Sequence, residues 1–149
     1  MGMGYARGAV AQTFPQLDAA GAARTAEALL SEERGSLLDA WRFGLKQLVD
    51  DYETVRRHEG QDAAARLFTD SPTPSGSCQF DAALAALAEH LARRDGWTPP
   101  AWAFDPQRYA QPWWFVDGLE SLRATALVES PAAFRKRGVF ICDGALTRV

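Results

Sequence analysis

The chain has 149 residues, of which 47% are hydrophobic and 23% are charged. This length suits one domain with a single core, and this composition excludes a chain that is disordered throughout. The formal net charge of −3 excludes a general attraction to nucleic acid, so any contact with DNA has to depend on a local basic cluster.

Two helices are predicted in the N-terminal region, residues 1–70. The first starts at Asp18, a good N-cap residue, and ends near Glu33, and the second covers residues 36–58. The second helix carries apolar side chains at intervals of three and four residues, and they form one stripe: Leu37, Trp41, Leu45, Leu48, Tyr52 and Val55. Ordinary surface helices bury such a stripe within their own chain, and a homodimer through this helix is the alternative.

A short helical segment is predicted over residues 62–68. Residues 70–77 then have the composition of a linker, with two prolines and a glycine among small polar residues. The linker separates the N-terminal region from a C-terminal region, residues 78–149. An alanine-rich helix is predicted near the start of this second region, over residues 80–94, and Gly96 is predicted to end it. The two regions are expected to form one compact domain.

Four of the five tryptophans follow, in a segment that also contains four prolines. Prolines disfavour helix in the residues before them, so this segment is predicted to be extended and to turn across the surface. Trp113 and Trp114 are adjacent, and adjacent side chains on an extended chain point to opposite sides. We therefore expect one of the two to face solvent, and Trp is over-represented in binding interfaces.

Two further helices are predicted, over residues 119–128 and 130–137. The second of them is expected to use Ser130 as its N-cap and to end at Gly138. A short strand is predicted over residues 139–142. Together the elements predict a predominantly all-α protein, a small helical bundle crossed by a Pro/Trp-rich loop, with at most a minor β element near the C-terminus.

The last predicted helix ends in three consecutive cations, Arg135, Lys136 and Arg137. Complementing the helix dipole requires one cation, and each contributes about 0.3–1 kcal/mol. Because there are three, the trio also suits phosphate groups or an acidic partner. It is the one local concentration of positive charge in the sequence.

No catalytic or metal-binding motif is present. The sequence has no phosphate-binding glycine loop, no nucleophile elbow and no zinc-protease signature, and its cysteines and histidines are scattered without the paired spacing of metal ligands. The acidic residues Asp50, Asp51 and Glu53 alternate with basic residues at helical spacing, which is typical of a solvated face. The sequence thus predicts a non-enzymatic protein without cofactor or metal. A deep pocket with convergent ionisable groups would favour an enzyme instead.

The sequence also predicts a cytoplasmic protein that does not enter a membrane. No stretch approaches the roughly 18 apolar residues of a membrane span, and the N-terminal residues lack the apolar core of a signal peptide. In a chain without an export signal, Cys78 and Cys142 are predicted to be free thiols.

The C-terminal region resembles a bacterial protein family. The resemblance rests on FDAALAALAEHLARRDGW, on PWWFV, on LRATALVESPAAFRKRGVFI and on the final ALTRV, within residues 80–149. These segments are similar to the C-terminal region of small regulators that look like antitoxins encoded beside nucleotidyltransferase-type toxins. The resemblance implies an antitoxin-like protein whose C-terminal region engages and neutralises such a toxin. Family members often carry an N-terminal helix-turn-helix, whereas residues 1–70 are predicted to contain one long helix.

From the residues themselves we predict which side chains make the partner contact. They are the exposed aromatic step and the basic trio, namely Trp113, Trp114, Phe115, Arg135, Lys136 and Arg137. The trio is expected to face acidic groups on the toxin. The alternative is a DNA-binding transcriptional regulator that places the same basic helix on phosphates, with an affinity that falls steeply with salt.

Overall fold

The structure is a computed structural model, and it describes residues 16–147. The α-helices in this range are α1 (Ala19–Leu30), α2 (Leu37–Ala40), α3 (Gln47–Glu59), α4 (Gln61–Ala65), α5 (Cys78–Asp95), α6 (Arg123–Glu129) and α7 (Ala132–Arg135). A π-helix (Trp41–Lys46) joins α2 to α3, and 3-10 turns cover Arg66–Phe68, Ala101–Phe104 and Glu120–Leu122. The strands are β1 (Trp114–Phe115) and β2 (Val139–Phe140). The predominantly α fold is confirmed, with its minor β element near the C-terminus.

Side-chain caps start three of the helices, at the predicted positions for α1 and α2 and two residues earlier than predicted for α5. The carboxylate of Asp18 accepts from the amide of Gly21 at 2.7 Å, and Ser36 and Ser77 accept in the same way at α2 and α5. A cap of this kind contributes about 1 kcal/mol. Gly96 ends α5 in the left-handed conformation, with φ of 80°, as predicted for a C-terminal glycine.

The long amphipathic helix is continuous from α2 through the π-helix to α3, and its apolar stripe is buried within the chain. Every residue of the stripe except the partly buried Leu37 lies in the core, where the π-helix contacts α1 and α5, and α3 contacts α1 and α4. The stripe is thus filled by the protein's own helices. The alternative prediction, a homodimer through residues 36–58, would require this same face, and the face is not free.

The π-helix packs closely against both α1 and α5 at Gly44. A Cβ atom at this position would lie 3.2 Å from the ring of Phe80 and 3.3 Å from the carbonyl oxygen of Ala22. The absence of a side chain lets the π-helix contact both α1 and α5. The helical stripe of the sequence did not indicate this local widening of the helix.

The predicted linker, residues 70–77, is packed onto the rest of the chain. Pro72 and Ser75 are buried, the amide of Ser75 donates to the carboxylate of Asp81 at 3.1 Å, and Arg108 donates to the carbonyl oxygen of Pro72 at 2.8 Å. The segment therefore connects two parts of one core. Its polar and proline-rich composition gave no sign of these contacts.

Helix α5 is the centre of the molecule. Its residues from Phe80 to Glu89 are all buried, and it contacts α1, α7, the Ala101–Phe104 turn and β2. Alanine occupies much of this buried surface, so neighbouring backbones can approach on several sides. Helix α5 thereby links the N-terminal helices to the C-terminal segments.

Two short parallel strands fix the C-terminal segments. Trp114 pairs with Val139 and Phe115 with Phe140, and the chain passes through α6 and α7 between them. Helix α7 is shorter than predicted. Its predicted N-cap, Ser130, instead donates to the carbonyl oxygen of Ala126 and accepts from the amide of Ile141 at 2.8 Å.

Two other expectations concern the membrane and the cysteines. Between residues 16 and 147, no helix combines the length and the apolar character needed to cross a membrane. Cys78 and Cys142 are free thiols, as predicted.

Candidate binding surface

The strand β1 separates the two adjacent tryptophans, as the alternation of an extended chain predicts. Trp114 is buried and packs edge-on against Trp41 in the core, with ring centroids 5.8 Å apart. Trp113 points the other way, and 63% of its surface is exposed. Of the predicted pair, Trp113 is therefore the one that a partner can reach.

Trp113 is held in place although it is exposed. Its ring packs edge-on against Phe140, with centroids 5.1 Å apart, and Gly138 leaves room beneath it. A Cβ atom at Gly138 would lie 2.8 Å from Cδ1 of Trp113, and Gly138 has a φ of 78°. Gly138 thus both ends the α7 segment and seats the indole.

Phe115 belongs to the support of this surface. It is half-buried and stacks on Phe140 at 4.9 Å, and the guanidinium of Arg123 lies 5.0 Å above its ring. Trp113, Phe140 and Phe115 therefore form a row of rings along the two strands. The indole of Trp113 lies at the exposed end of this row, and its packing against Phe140 restrains it.

The three consecutive cations point in three directions. Arg135 is exposed and lies near the C-terminal end of α6, 3.5 Å from the carbonyl oxygens of Leu127 and Val128. Lys136 is half-exposed and lies against Glu89. Arg137 is 1% exposed and lies in the core. The chain turns out of α7 at this point, so the trio does not form one basic face.

Arg137 is a structural residue, which corrects its predicted place in the partner contact. Its guanidinium donates to Glu89 at 2.7 Å and to the carbonyl oxygens of Ala133 and Ala103, both at 2.8 Å. These bonds join α5, α7 and the Ala101–Phe104 turn. The physical reason is that a buried carboxylate on α5 requires a buried cation, and Arg137 reaches it.

Glu89 is the centre of an ion cluster, which is defined here as Glu89, Arg93, Lys136 and Arg137. The carboxylate lies 2.6 Å from Arg93, 2.8 Å from Lys136 and 2.7 Å from Arg137. Burial acts to raise the pKa of Glu89, but the hydrogen bonds of the three cations outweigh it and lower the pKa from 4.5 to about 2. Three positive charges share one negative charge, so the ion cluster has a net charge of +2.

The exposed residues next to the ion cluster form what we call the aromatic–cation surface: Phe104, Tyr109, Trp113 and Lys136. All three rings are exposed, and the ammonium of Lys136 lies 5.5 Å from the centroid of the Phe104 ring. A shallow pocket of about 250 Å³ lies between Tyr109, Trp113 and Lys136. Exposed aromatic rings such as these are enriched in protein interfaces.

The sequence did not identify Glu89 as part of this arrangement. Glu89 stands beside His90 near the end of α5, and no motif marks it. The signal that could have located it is the alanine content of α5, because a helix that packs closely on several sides also buries the polar residues among its alanines. A buried carboxylate then requires cations nearby.

A separate pocket of about 350 Å³ contains ionisable groups, the feature that would favour an enzyme. His90 and Cys142 both line it. No hydrogen bond joins these two side chains in the part of the chain described, and burial raises the pKa of the Cys142 thiol, with Glu129 and Asp117 adding to the effect. The thiol is therefore not prepared as a nucleophile. Within residues 16–147, no group of three or more potential ligands is arranged to hold a metal ion.

The fold and this surface define a predominantly helical protein with a rigid aromatic–cation face. Comparison of the chain with family models, curated proteins and solved structures finds no match.

Proposed function

We propose that this protein is a non-enzymatic, antitoxin-like regulator that binds and neutralises a nucleotidyltransferase-type toxin through the aromatic–cation surface. The observation that carries the proposal is the exposure of Trp113, a large aromatic side chain that is held rigidly yet left 63% open to solvent. The type of partner comes from the resemblance of residues 80–149 to the C-terminal region of antitoxin-like regulators, which implies contact with a toxin.

The shape and charge of the surface support a protein partner. Rigid aromatic side chains lose little conformational entropy on binding, and Trp, Tyr and Arg dominate the residues whose loss weakens interfaces most. The net charge of +2 on the ion cluster favours an acidic counterpart. A nucleotidyltransferase whose metal-binding carboxylates face the surface would supply that counterpart.

Co-purification with the product of the neighbouring gene is the first test. Trp113→Ala is expected to lower the affinity for that product by about tenfold or more, as expected for an interfacial Trp, and to abolish its neutralisation in cells. Phe43→Ala is the matched control, because Phe43 is an aromatic residue of similar exposure (58%) on the π-helix, outside the surface.

The contribution of positive charge to binding is tested by removing the charge of Lys136 and, as a control, that of Arg24. Lys136→Met keeps the side-chain stem and leaves Arg93 and Arg137 to pair with Glu89, so the protein should still fold while binding weakens about threefold to fivefold. Arg24→Met removes an exposed charge from α1 as the control. Equal affinity of wild type, Trp113→Ala and Lys136→Met for the toxin would overturn the proposal.

Duplex DNA from upstream of the gene is the alternative partner. Since Arg137 is buried, the basic segment offers Arg135 and Lys136 to phosphates, and α7 is only four residues long. A mobility-shift assay at two salt concentrations separates the alternatives. A complex that forms at low salt and dissociates steeply as salt rises favours DNA binding, and the absence of a complex at low salt excludes it.

A further inference from the structure

The pocket of about 250 Å³ in the aromatic–cation surface, called here the aromatic pocket, has the composition of a small-ligand site. Its lining includes the exposed rings of Tyr109 and Trp113 together with the cations Lys136 and Arg137. Pockets for drug-sized ligands measure roughly 300–1,000 Å³. The aromatic pocket is therefore of a size for a single flat ring with its substituent rather than for an extended cofactor.

The two rings of the aromatic pocket offer surface for stacking. Tyr109 is 42% exposed and Trp113 is 63% exposed. The indole of Trp113 is already restrained by its packing against Phe140, so it loses little freedom when a ligand contacts it. Exposed aromatic side chains of this kind are the platforms on which proteins stack nucleobases.

The lining of the aromatic pocket is positively charged. The described residues that line it include two cations, Lys136 and Arg137, and no carboxylate. Both cations contact Glu89, but Arg93 contacts the same carboxylate, so the ion cluster keeps its net charge of +2. The side chain of Lys136 is 46% exposed, and its ammonium has three N–H donors, so it can bind an anion while it contacts Glu89.

Arg137 provides a second, independent observation that points to an anion. It is 1% exposed and lines the aromatic pocket. Its two Nη atoms donate to Glu89 and to the carbonyl oxygens of Ala103 and Ala133, whereas its buried Nε atom has no acceptor among the described residues. A buried charged donor without an acceptor is costly. An anionic oxygen that enters the pocket beside Arg137 is therefore favoured.

The combination of rings and cations decides the class of ligand. A carboxylate or inorganic phosphate would use the cations and leave the rings unused, and a neutral aromatic group would use the rings and leave the positive charge unpaired. A nucleotide uses both, because its base stacks on aromatic rings and its phosphate pairs with cations. The net charge of −3 on the whole chain opposes a long polyanion, so a ligand with one phosphate group suits the pocket best.

We propose that the aromatic pocket binds a mononucleotide unit, with its base against the rings of Tyr109 and Trp113 and its phosphate on Lys136. A free nucleoside monophosphate and one nucleotide of a single strand present this same chemistry. The inference goes beyond the proposed function and does not rest on it. The two are nevertheless linked, since a nucleotide and the toxin would compete for Trp113.

Titration of the full chain with AMP, followed by NMR, tests the proposal. AMP at millimolar concentrations should produce saturable shifts in the indole signal of Trp113 and in the amides of residues 109–113 and 136–138. Adenosine lacks the phosphate and ribose 5-phosphate lacks the base, so each should bind at least about threefold more weakly than AMP.

A single strand of six deoxyadenylates distinguishes the two sources of the nucleotide. An affinity about tenfold or more above that of AMP identifies a strand as the ligand, since neighbouring nucleotides then add contacts. An affinity similar to that of AMP identifies the free nucleotide. Both results support a stacked nucleotide in the aromatic pocket.

Substitutions separate the stacking from the charge. Trp113→Ala and Tyr109→Ala should each lower the affinity for AMP by about fivefold or more, and Lys136→Met should lower it by about threefold to fivefold. The matched controls are Phe43→Ala and Arg24→Met, which remove an exposed aromatic ring and an exposed cation outside the pocket. Measurement of the unfolding midpoint of each variant separates a loss of binding from a loss of fold.

Three results would overturn the proposal. The first is the absence of saturable shifts with AMP, and the second is equal affinity for ribose 5-phosphate and AMP, which would reveal a site for the anion alone. The third is wild-type affinity for AMP in both Trp113→Ala and Lys136→Met. Binding of the neighbouring gene's product is measured separately, so a failure of AMP to bind leaves the proposed function intact, and a failure of the toxin to bind leaves the nucleotide site intact.

Discussion

The ion cluster and the aromatic–cation surface lie side by side and share Lys136, yet they differ in their exposure to solvent. In the ion cluster, Arg137 and Glu89 are withdrawn from solvent and join α5 to α7. On the surface, Trp113 is equally well seated but open to solvent. Consecutive cations in a sequence can therefore differ in their surroundings: where the chain turns out of α7, Arg137 is buried, whereas Arg135 stays exposed.

Removal of Arg137 is expected to have the largest effect on the free energy of unfolding. Arg137→Ala leaves the buried carboxylate of Glu89 with two partly exposed cations and is expected to lower the free energy of unfolding by about 3–5 kcal/mol. Chemical denaturation measures the change. A loss below about 0.5 kcal/mol, the range of ordinary surface substitutions, would contradict the structural role of Arg137.

The pH dependence of stability reports on the same carboxylate. Because the pKa of Glu89 is lowered from 4.5 to about 2 on folding, its ionised form contributes about 3 kcal/mol above the unfolded-state pKa. This contribution is lost as the pH falls from about 4.5 toward 2. The stability difference between wild type and Glu89→Gln should therefore shrink between about pH 5 and pH 3, and a difference that stays constant over this range would argue against the cluster.

Gly138 separates the two regions and should affect both. Gly138→Ala places a Cβ atom in a left-handed conformation and 2.8 Å from Trp113, so it should cost about 1–2 kcal/mol and displace the indole. Denaturation measures the stability, and the chemical shift of the Trp113 indole measures the displacement. Gly118→Ala is the matched control, since Gly118 has a similar φ of 81° and a Cβ atom added there would meet no other atom within 4 Å. If the two variants lose equal stability and leave the indole unmoved, Gly138 does not seat Trp113.

Arg135 should show the smallest effect on stability. It is exposed and makes only two long contacts, at 3.5 Å, so Arg135→Ala is expected to change the free energy of unfolding by less than about 0.5 kcal/mol. Comparison with Arg137→Ala under the same conditions checks that the trio is divided. Equal losses of unfolding free energy in the two variants would show that Arg137 is no more important for stability than Arg135.

Much of the fold follows from local rules that the sequence obeys. Asp18 and Gly96 mark helix ends by a capping side chain and by conformational freedom, and the stripe of the long helix marks its buried face. The opposite orientations of Trp113 and Trp114 follow from the geometry of an extended chain. These features depend on residues that are close in the sequence, so they could be predicted.

The features that could not be predicted depend on distant residues. The bond from Arg137 to Glu89 spans 48 positions, and nothing near Arg137 distinguishes it from Arg135. The same is true of residues 70–77, whose packing depends on the buried guanidinium of Arg108. A sequence pattern indicates which residues are charged, and the tertiary contacts decide which of those charges are buried.

The most direct test of the account follows the indole signals of the protein on addition of the neighbouring gene's product. The indole nitrogens of Trp97 and Trp102 already donate to Tyr52 and to the carbonyl oxygen of Phe68. Their signals should stay in place, while the Trp113 signal, assigned with Trp113→Phe, should shift or broaden. A complex that forms without any change in the Trp113 signal would contradict the account.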